Sequence, residues 1–521
     1  MRKHLLATSL AAIFATGPAA AIDFNFDHYW TFNHTAGNGS AALGAEIVSF
    51  DSLNNRLWVI GPTGADVLDP LTKTLATALN LSAFGEPNSV AANNGMIAVA
   101  IANSVKTDPG AVHFYNASTF DFVSAVTVGA LPDMLTFTPD GSRVLVANEG
   151  EPNSYGQPDS IDPNGSVSII DTASFAVQTL GFEGFSKAAI EVNGGRIFGP
   201  GASVAQDLEP EYITVAADGK TAWVVLQENN ALARIDLDTP TPAITNVFGL
   251  GFKDHSLPGN GLDPSDRDTA GGDPEIDIAT FPVFGMYQPD AIASYEVGGK
   301  TLLVMANEGD ARDYVGFAEE ERIKDLDWDP TSAVGSLLAD EDLGRLTVTS
   351  TLGDPDGDGN YDLAYAFGAR SFSIRGENGN LIFDSGDLIE QILADQYPHL
   401  WQEGRSDNKG PEPEGLALAN IAGRDLLFLG LERTNATMVF DITDPLEVNF
   451  LTVLATAGDV GPEGLTVLHM AGQYYLAVAN EVSNTTTLYA VTAVPVPAAL
   501  PLLGSALFGL TVVARRRARA L

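Results

Sequence analysis

Apolar residues alternate with polar ones in short runs along nearly all of the chain, and the runs are broken by Gly, Asp, Asn and Pro. The stretch 135–147 shows the pattern: Leu135 and Phe137 alternate with threonines, Asp140-Gly141 interrupts, and Val144 and Val146 resume. A period of two broken at Asp-Gly is the signature of a β-hairpin. A third run follows and ends in an aspartate with turn residues, at Asp171, Asp236 and Asp441. No apolar repeat of helical period is long enough in this span to predict a useful helix.

These units recur in fixed order. Each opens on a proline, usually followed by an acidic residue, and its second run closes near Asn-Glu. The clear copies run from Pro132-Asp133 to Asn148-Glu149, Pro289-Asp290 to Asn307-Glu308, and Pro462-Glu463 to Asn480-Glu481. Looser copies run from Pro210-Glu211 to Glu228-Asn229 and from Pro413-Glu414 to Glu432-Arg433. Two divergent ones start at Pro87-Asn88 and Ala45-Glu46. Seven units of three or four short strands predict an all-β fold, a seven-bladed β-propeller. A pair of β-sandwiches or a β-helix shares the strand signals, but a β-helix repeat is far shorter than the roughly 45 residues of a blade. Three stretches, near 150–162, 248–287 and 309–410, exceed ordinary connections and read as insertions, where binding and chemistry concentrate. The apolar run from Phe281 to Met286 predicts that the second insertion packs across one end of the ring.

The ends differ from this body. Residues 1–21 combine a basic start, an apolar middle and Ala19-Ala20-Ala21, the layout of a secretory signal peptide. The propeller is expected over 22–492. Residues 493–521 carry Val494-Pro495-Val496-Pro497-Ala498, an apolar stretch near the minimum of about 17–20 residues for a membrane span, and an arginine-rich terminus. A plain tail anchor is one reading. The tripartite layout also resembles the bacterial PEP-type sorting signals, which imply an exosortase-like processing protease and a protein at the cell surface or outside. In that reading the membrane is met only through this segment.

The chain holds 67 acidic against 27 basic residues, a net charge of −40. Both end segments contain only basic charges, so the body is more acidic still. Such a surface repels nucleic acid and favours cations; solubility in a salty medium accounts for the same excess. Without cysteine, stability rests on the sheets and on any bound metal.

If the opening residue of every unit lines the axis of the propeller, Glu46, Asn88, Asp133, Glu211, Asp290, Glu414 and Glu463 form a ring. Carboxylates that face one another raise each other's pKa unless cations intervene, which points to Ca²⁺ or another divalent metal. The alternative is turn chemistry, with each carboxylate capping backbone amides. Glu149 and Glu308 end second strands, with Glu228, Glu432 and Glu481, and their side of the ring is left open. A separate surface candidate is 354–362, where Asp354, Asp356, Asp358, Asn360 and Asp362 place oxygens at EF-hand-like spacing around glycines. The closing glutamate is replaced by Tyr365, so a plain acidic turn is the competing reading.

The phrases Ala147-Asn148-Glu149-Gly150-Glu151-Pro152-Asn153, Tyr287-Gln288-Pro289-Asp290, Ala306-Asn307-Glu308-Gly309-Asp310 and Gly410-Pro411-Glu412-Pro413-Glu414-Gly415 resemble the choice-of-anchor I family. The family includes proteins labelled mesenchyme-specific cell-surface glycoprotein-like and some labelled alkaline phosphatase. The resemblance implies a propeller at the surface and leaves its activity open. One functional reading is a binding module for a surface glycan or matrix. A second, by similarity to propeller phytases and calcium-dependent alkaline phosphatases, is a metal-dependent phosphoesterase. It would use Glu149, Glu211, Asp290, Glu308, Asp313, Glu414 and Glu463 on metal and Arg312 or Lys409 on the phosphate ester. A lactonase-like propeller with one calcium is a third. No Gly-x-Ser-x-Gly elbow and no His-Glu-x-x-His is present, and His255 and His399 read as surface residues.

Overall fold

The computed structural model describes residues 22–269 and 271–495. The expected signal peptide and the sorting segment from residue 496 onward lie outside the described residues. Residues Phe26–Ala490 form one compact unit; the chain ends form another, described only over 22–25 and 491–495. Among the described residues no helix is long and apolar enough to cross a membrane.

The body is all-β. Seven four-stranded sheets are present among the described residues. Six take their strands outward in chain order, and the seventh ends on the first strand of the chain, Ile22–Asn33, beside Thr485–Pro495. The last strand thus runs past residue 492, where sequence had placed the end of the body. The first strands of the sheets are Val48–Asp51, Glu86–Asn93, Pro132–Phe137, Ile213–Val215, Ile292–Val297, Pro413–Ile421 and Pro462–Met470. Each lies against the first strand of the next sheet, and Pro462–Met470 lies against Val48–Asp51. This arrangement is propeller-like.

The alternation read from sequence has two outlets here, because both faces of each sheet meet a neighbouring sheet. Trp58, Ile60 and Val67 of one sheet pack on Val90, Ile97 and Val99 of the next, all buried; the opposite face of that second sheet, with Ala98, Val112 and Phe114, packs on Leu135, Val144 and Val146. Each such side chain withdrawn from water contributes about 1.5–3 kcal/mol. The aspartates ending the third strands hold turns: Asp171 Oδ1 accepts from the amides of Ala173 and Ser174 at 3.2 and 2.8 Å, and Asp441 Oδ1 from that of Thr443 at 3.0 Å.

The insertions depart from the sequence reading. The second and third build one five-stranded sheet together, in the order Phe252–Asp254, Val283–Met286, Ala364–Ala366, Thr347–Thr349, Glu320–Arg322. The third is also shorter than the expected 309–410, because Ser371–Gly376 and Leu381–Asp384 are the outer strands of the sheet begun by Ile292–Val297. A connection after Val177–Gly181, holding the short helices Lys187–Glu191 and Val204–Asp207, was not anticipated. Nor was the nine-residue helix Leu388–Gln396, whose Ile389, Ile392 and Leu393 are buried at helical spacing. His255 is a further correction: it is only 1 % exposed, with Nδ1 2.7 Å from the Asn260 carbonyl oxygen. Burial, followed by the charges of Lys253 and Arg370, holds its pKa well below the usual range.

Candidate functional site

The repeated proline-acid pair sits where the first strand breaks register with the second. Pairing skips between Pro132 and Leu135, Pro413 and Leu416, Pro462 and Leu465, and Pro87 and Ser89, so Asp133, Glu414, Glu463 and Asn88 lie within β-bulges. A bulge inserts extra backbone and re-aims a side chain. Glu46, Glu211 and Asp290 precede their strands, but their amides still bond to second-strand carbonyls at 2.9–3.1 Å. The glycines after the acids explain how the strands come close. A Cβ on Gly415 would lie 1.7 Å from the carbonyl oxygen of Glu463, and one on Gly464 would lie 2.4 Å from that of Glu46.

The register also places the Asn-Glu pairs that sequence left open. Pro132 pairs with Asn148 and Pro462 with Asn480, so second-strand ends return beside first-strand starts. The asparagine is structural. Asn148 Nδ2 donates to Ser166 O at 3.2 Å and Ser168 Oγ at 3.0 Å, and Asn480 Nδ2 donates to Thr485 O at 3.3 Å. Tied this way to the third strand, it is followed by a glutamate that is buried at Glu149 and exposed at Glu481.

Burial and the charges of neighbouring acids raise these groups together. Burial raises Glu211 well above the carboxylate range, followed by Glu149, Glu228, Asp133 and Asp290. Burial also raises Glu463, helped by Glu46, Glu481, Asp290 and Asp133, and raises Glu414, helped by Glu308, Glu432, Asp290 and Glu463. Asp290 is pushed well up by burial and then by Glu308 and Asp133. Glu46 rises to about 8 through burial and Glu481, and Asp133 to about 7 through burial and Glu151. The ring positions keep partial contact with solvent though protein encloses them. None of Glu46, Asp133, Glu149, Glu211, Asp290, Glu414 and Glu463 accepts a side-chain hydrogen bond among the described residues. Capping of backbone amides, the competing explanation of the repeat, therefore finds no contact to support it. Asn88 is the exception in kind, donating to Pro132 O at 3.4 Å.

Among the described residues four groups of three acids come close enough to share an ion, and two of them include acids of the repeated phrases. Oxygens of Asp133, Glu149 and Glu211 lie within 4.8 Å of one another, as do those of Glu308, Glu412 and Glu432. Around a Ca²⁺ with oxygens at about 2.3–2.6 Å, ligand atoms stand no more than about 5 Å apart, so both spacings fit. The second group is already compensated. Lys409 Nζ lies 2.6 Å from Glu308, 3.5 Å from Glu412 and 3.7 Å from Asp310, while Arg433 reaches Glu412 at 3.2 Å and Glu432 at 2.8 Å. Burial opposes the charge of Lys409, but Glu308, Glu412 and Asp310 outweigh it and hold the lysine protonated.

Arg312 is engaged elsewhere. It is 1 % exposed and pairs with Asp207, with Glu209 at 3.0 Å, and with the Asp207 carbonyl at 2.6 Å. Phe198 lies between it and Arg196, with guanidinium-to-ring distances of 4.5 and 3.9 Å. Arg196 in turn pairs with the buried Glu319. Asp313 is exposed on the two-stranded hairpin formed with Phe317–Ala318. Sequence reasoning passed over Asp207, Glu209, Arg196 and Glu412, since none stands at a repeated position; Glu412 alone had a signal, one residue before a Pro-Glu.

On the surface, 354–362 brings Asp354, Asp356 and Asp362 within ligand spacing. Asp358 and Asn360 are turned inward on the loop: Asp358 Oδ1 accepts from the Asn360 amide at 2.7 Å and from its side chain at 3.0 Å. Asp263, Asp268 and Glu403 form a further acidic group that sequence did not indicate.

A model of the choice-of-anchor I domain matches residues 46–445. The chain belongs to the choice-of-anchor I family. Among curated proteins, this family member is 33 % identical over 156 residues to Gigasin-3a of Magallana gigas, covering 26 % of this chain and 55 % of that one. It is 26 % identical over 294 residues to the mesenchyme-specific cell surface glycoprotein of Strongylocentrotus purpuratus, covering 48 % of this chain and 37 % of that one. The chain thus spans about half or less of the length of these relatives. Solved structures that resemble it include the β-propeller domain of Myceliophteria thermophila Cps50 (Swd1), with TM-score 0.44, 9 % identity, and coverage of 90 % of this chain and 100 % of that one.

Proposed function

We propose that this choice-of-anchor I protein is a seven-bladed β-propeller, exported and displayed at the cell surface or released from it, that works as a binding module and holds divalent cations at the axis of its ring. The name of the sea urchin relative, a cell surface glycoprotein, and the signal-like and sorting-like ends support the location. The observation that carries the cation reading is that Glu46, Asp133, Glu149, Glu211, Asp290, Glu414 and Glu463 all have their pKa raised by burial and by neighbouring acids, and none accepts a side-chain hydrogen bond among the described residues. Such a set is stable only with protons or cations between its members. Calcium is the first candidate, because the donors are oxygens alone and the partners come from several different sheets, which suits its flexible coordination. The surface loop 354–362 is a second, weaker calcium candidate. The natural partner of such a module is a surface glycan or matrix, with an exosortase-like protease acting on the tail.

The phosphoesterase alternative has less support. Its two phosphate contacts, Arg312 and Lys409, are both buried or nearly so and already ion-paired to acids. The test is metal analysis of the purified chain, together with thermal unfolding with and without Ca²⁺ and hydrolysis of a generic phosphomonoester. Bound calcium that raises the unfolding temperature and is lost to chelator supports the cation-holding module. A chain that binds no divalent ion overturns it, and calcium-dependent turnover restores the enzyme reading.

A further inference from the structure

Two groups of three acids from the repeated units each bring their oxygens within 4.8 Å of one another, yet their surroundings differ. Around Glu308, Glu412 and Glu432 stand one ammonium and two guanidinium groups. Lys409 Nζ lies among the carboxylates at 2.6 Å from Glu308 and 3.5 Å from Glu412, Arg433 spans Glu412 and Glu432, and Arg405 pairs with Glu412 from the other side. Around Asp133, Glu149 and Glu211 no Lys, Arg or His forms an ion pair with any of the three among the described residues. Arg312 pairs instead with Asp207 and Glu209, and Lys106 with Glu151 at 2.5 Å.

A second observation belongs to the uncompensated side. Glu228, at the end of the neighbouring second strand, is only 4 % exposed, and its Oε2 has no hydrogen-bond partner. Its charge acts on both Glu149 and Glu211. Glu149 is itself 8 % exposed. A buried carboxylate oxygen left without a donor is costly, and although the charge of Arg312 reaches Glu228, burial and Asp310 outweigh it, so the four acids still lack a paired counter-charge. The other ring acids, Glu46, Asp290, Glu414 and Glu463, form no group of three at ligand spacing among the described residues.

We infer that the ring carries one divalent cation, held by Asp133, Glu149 and Glu211 with Glu228 behind them, and that Lys409 stands as a tethered cation in the equivalent place two sheets further along the chain. This rests on the cation-holding reading of the ring and goes beyond it by dividing the ring into a metal half and a lysine half. An ammonium and a hard metal ion offer the same acids the same service, a compact positive charge at close range. The lysine half needs no metal, and its acids cannot take one while Lys409 is charged.

The experiment is a CaCl₂ titration of the full chain by calorimetry, with MgCl₂ as the competing ion and bound calcium counted after desalting. Glu149→Gln should remove one equivalent from the wild-type count. Glu432→Gln should remove none, and Lys409→Met should add one. Retention of the full count by folded Glu149→Gln overturns the assignment, as does loss of an equivalent in Glu432→Gln or no gain in folded Lys409→Met. If Lys409→Met does not fold, the contrast between the two glutamine variants decides alone. A wild-type chain without any calcium removes the parent reading as well, whereas calcium that Glu149→Gln leaves untouched removes only this one.

Discussion

At the scale of the residue, the Pro-Glu-Gly phrase has a division of labour. The proline starts the strand, the acid occupies the bulge, and the glycine admits the neighbouring backbone. Replacing Gly415 with Ala places a methyl group 1.7 Å from a main-chain oxygen that cannot move independently of its strand. We expect Gly415→Ala to cost about 1–3 kcal/mol or more, by the usual penalty of overpacking; a urea midpoint equal to wild type would contradict this. The acid beside it should behave in the opposite sense. Glu463 has a buried oxygen without a partner, and its charge is opposed by burial and by Glu46. In chelator, Glu463→Gln should therefore unfold at a higher temperature than wild type, since it removes a repelling charge and keeps the shape. A lower unfolding temperature in chelator would mean that the carboxylate has a stabilising partner.

At the scale of the element, the connection after Val177–Gly181 and the third insertion are joined by charge rather than by a sheet. Arg312 of the insertion is buried against Asp207 and Glu209 of the connection, and Arg196 of the connection is buried against Glu319 of the insertion. Removing one member of a buried pair leaves the others uncompensated, at a cost of about 3–5 kcal/mol. Arg312→Met should lower the chain's stability by that order, and limited proteolysis should then cut first near 313–318. Unchanged stability and cleavage would show that water, not Arg312, compensates these acids. This contact also marks where sequence stops being readable. The hairpins were legible because alternation and Asp-Gly turns are local, and the acids that open the units because they repeat. The two helices of the connection are too short, at five and four residues, to show a period, and Asp207 and Glu209 occur in one unit only. The third insertion was overdrawn because its sheet resumes at Ser371–Gly376 after a long interruption, with no proline-acid pair to announce it. The position of the Asn-Glu pairs needed the register, in which a bulge brings Asn148 opposite Pro132.

At the scale of the molecule, the proposed ring should couple stability to pH and to calcium in opposite directions. Glu46 is raised to about 8, Asp133 to about 7 and Glu228 to about 8, in each case by burial first and neighbouring acids second. An unfolded chain ionises such groups near pH 4, so between about pH 4 and 8 the folded chain without metal binds more protons than the unfolded one. Stability then falls as pH rises through that window, because the folded state must give up protons it holds more tightly. The chelated protein should unfold at a lower temperature at pH 8 than at pH 6. Calcium held by the ring as proposed would reverse the balance, since it would bind the ionised acids and the fold that gathers them. At about 100 times its dissociation constant it should contribute about 2.7 kcal/mol, and the gain should be larger at pH 8, where fewer protons compete, than at pH 6. Thermal unfolding at the two pH values, each with chelator and with Ca²⁺, measures both slopes in one set of scans. A chelated chain that gains stability on going from pH 6 to pH 8 would show that the ring acids are already balanced by something other than protons, and a calcium effect independent of pH would move the ion from the ring to the exposed loop at 354–362.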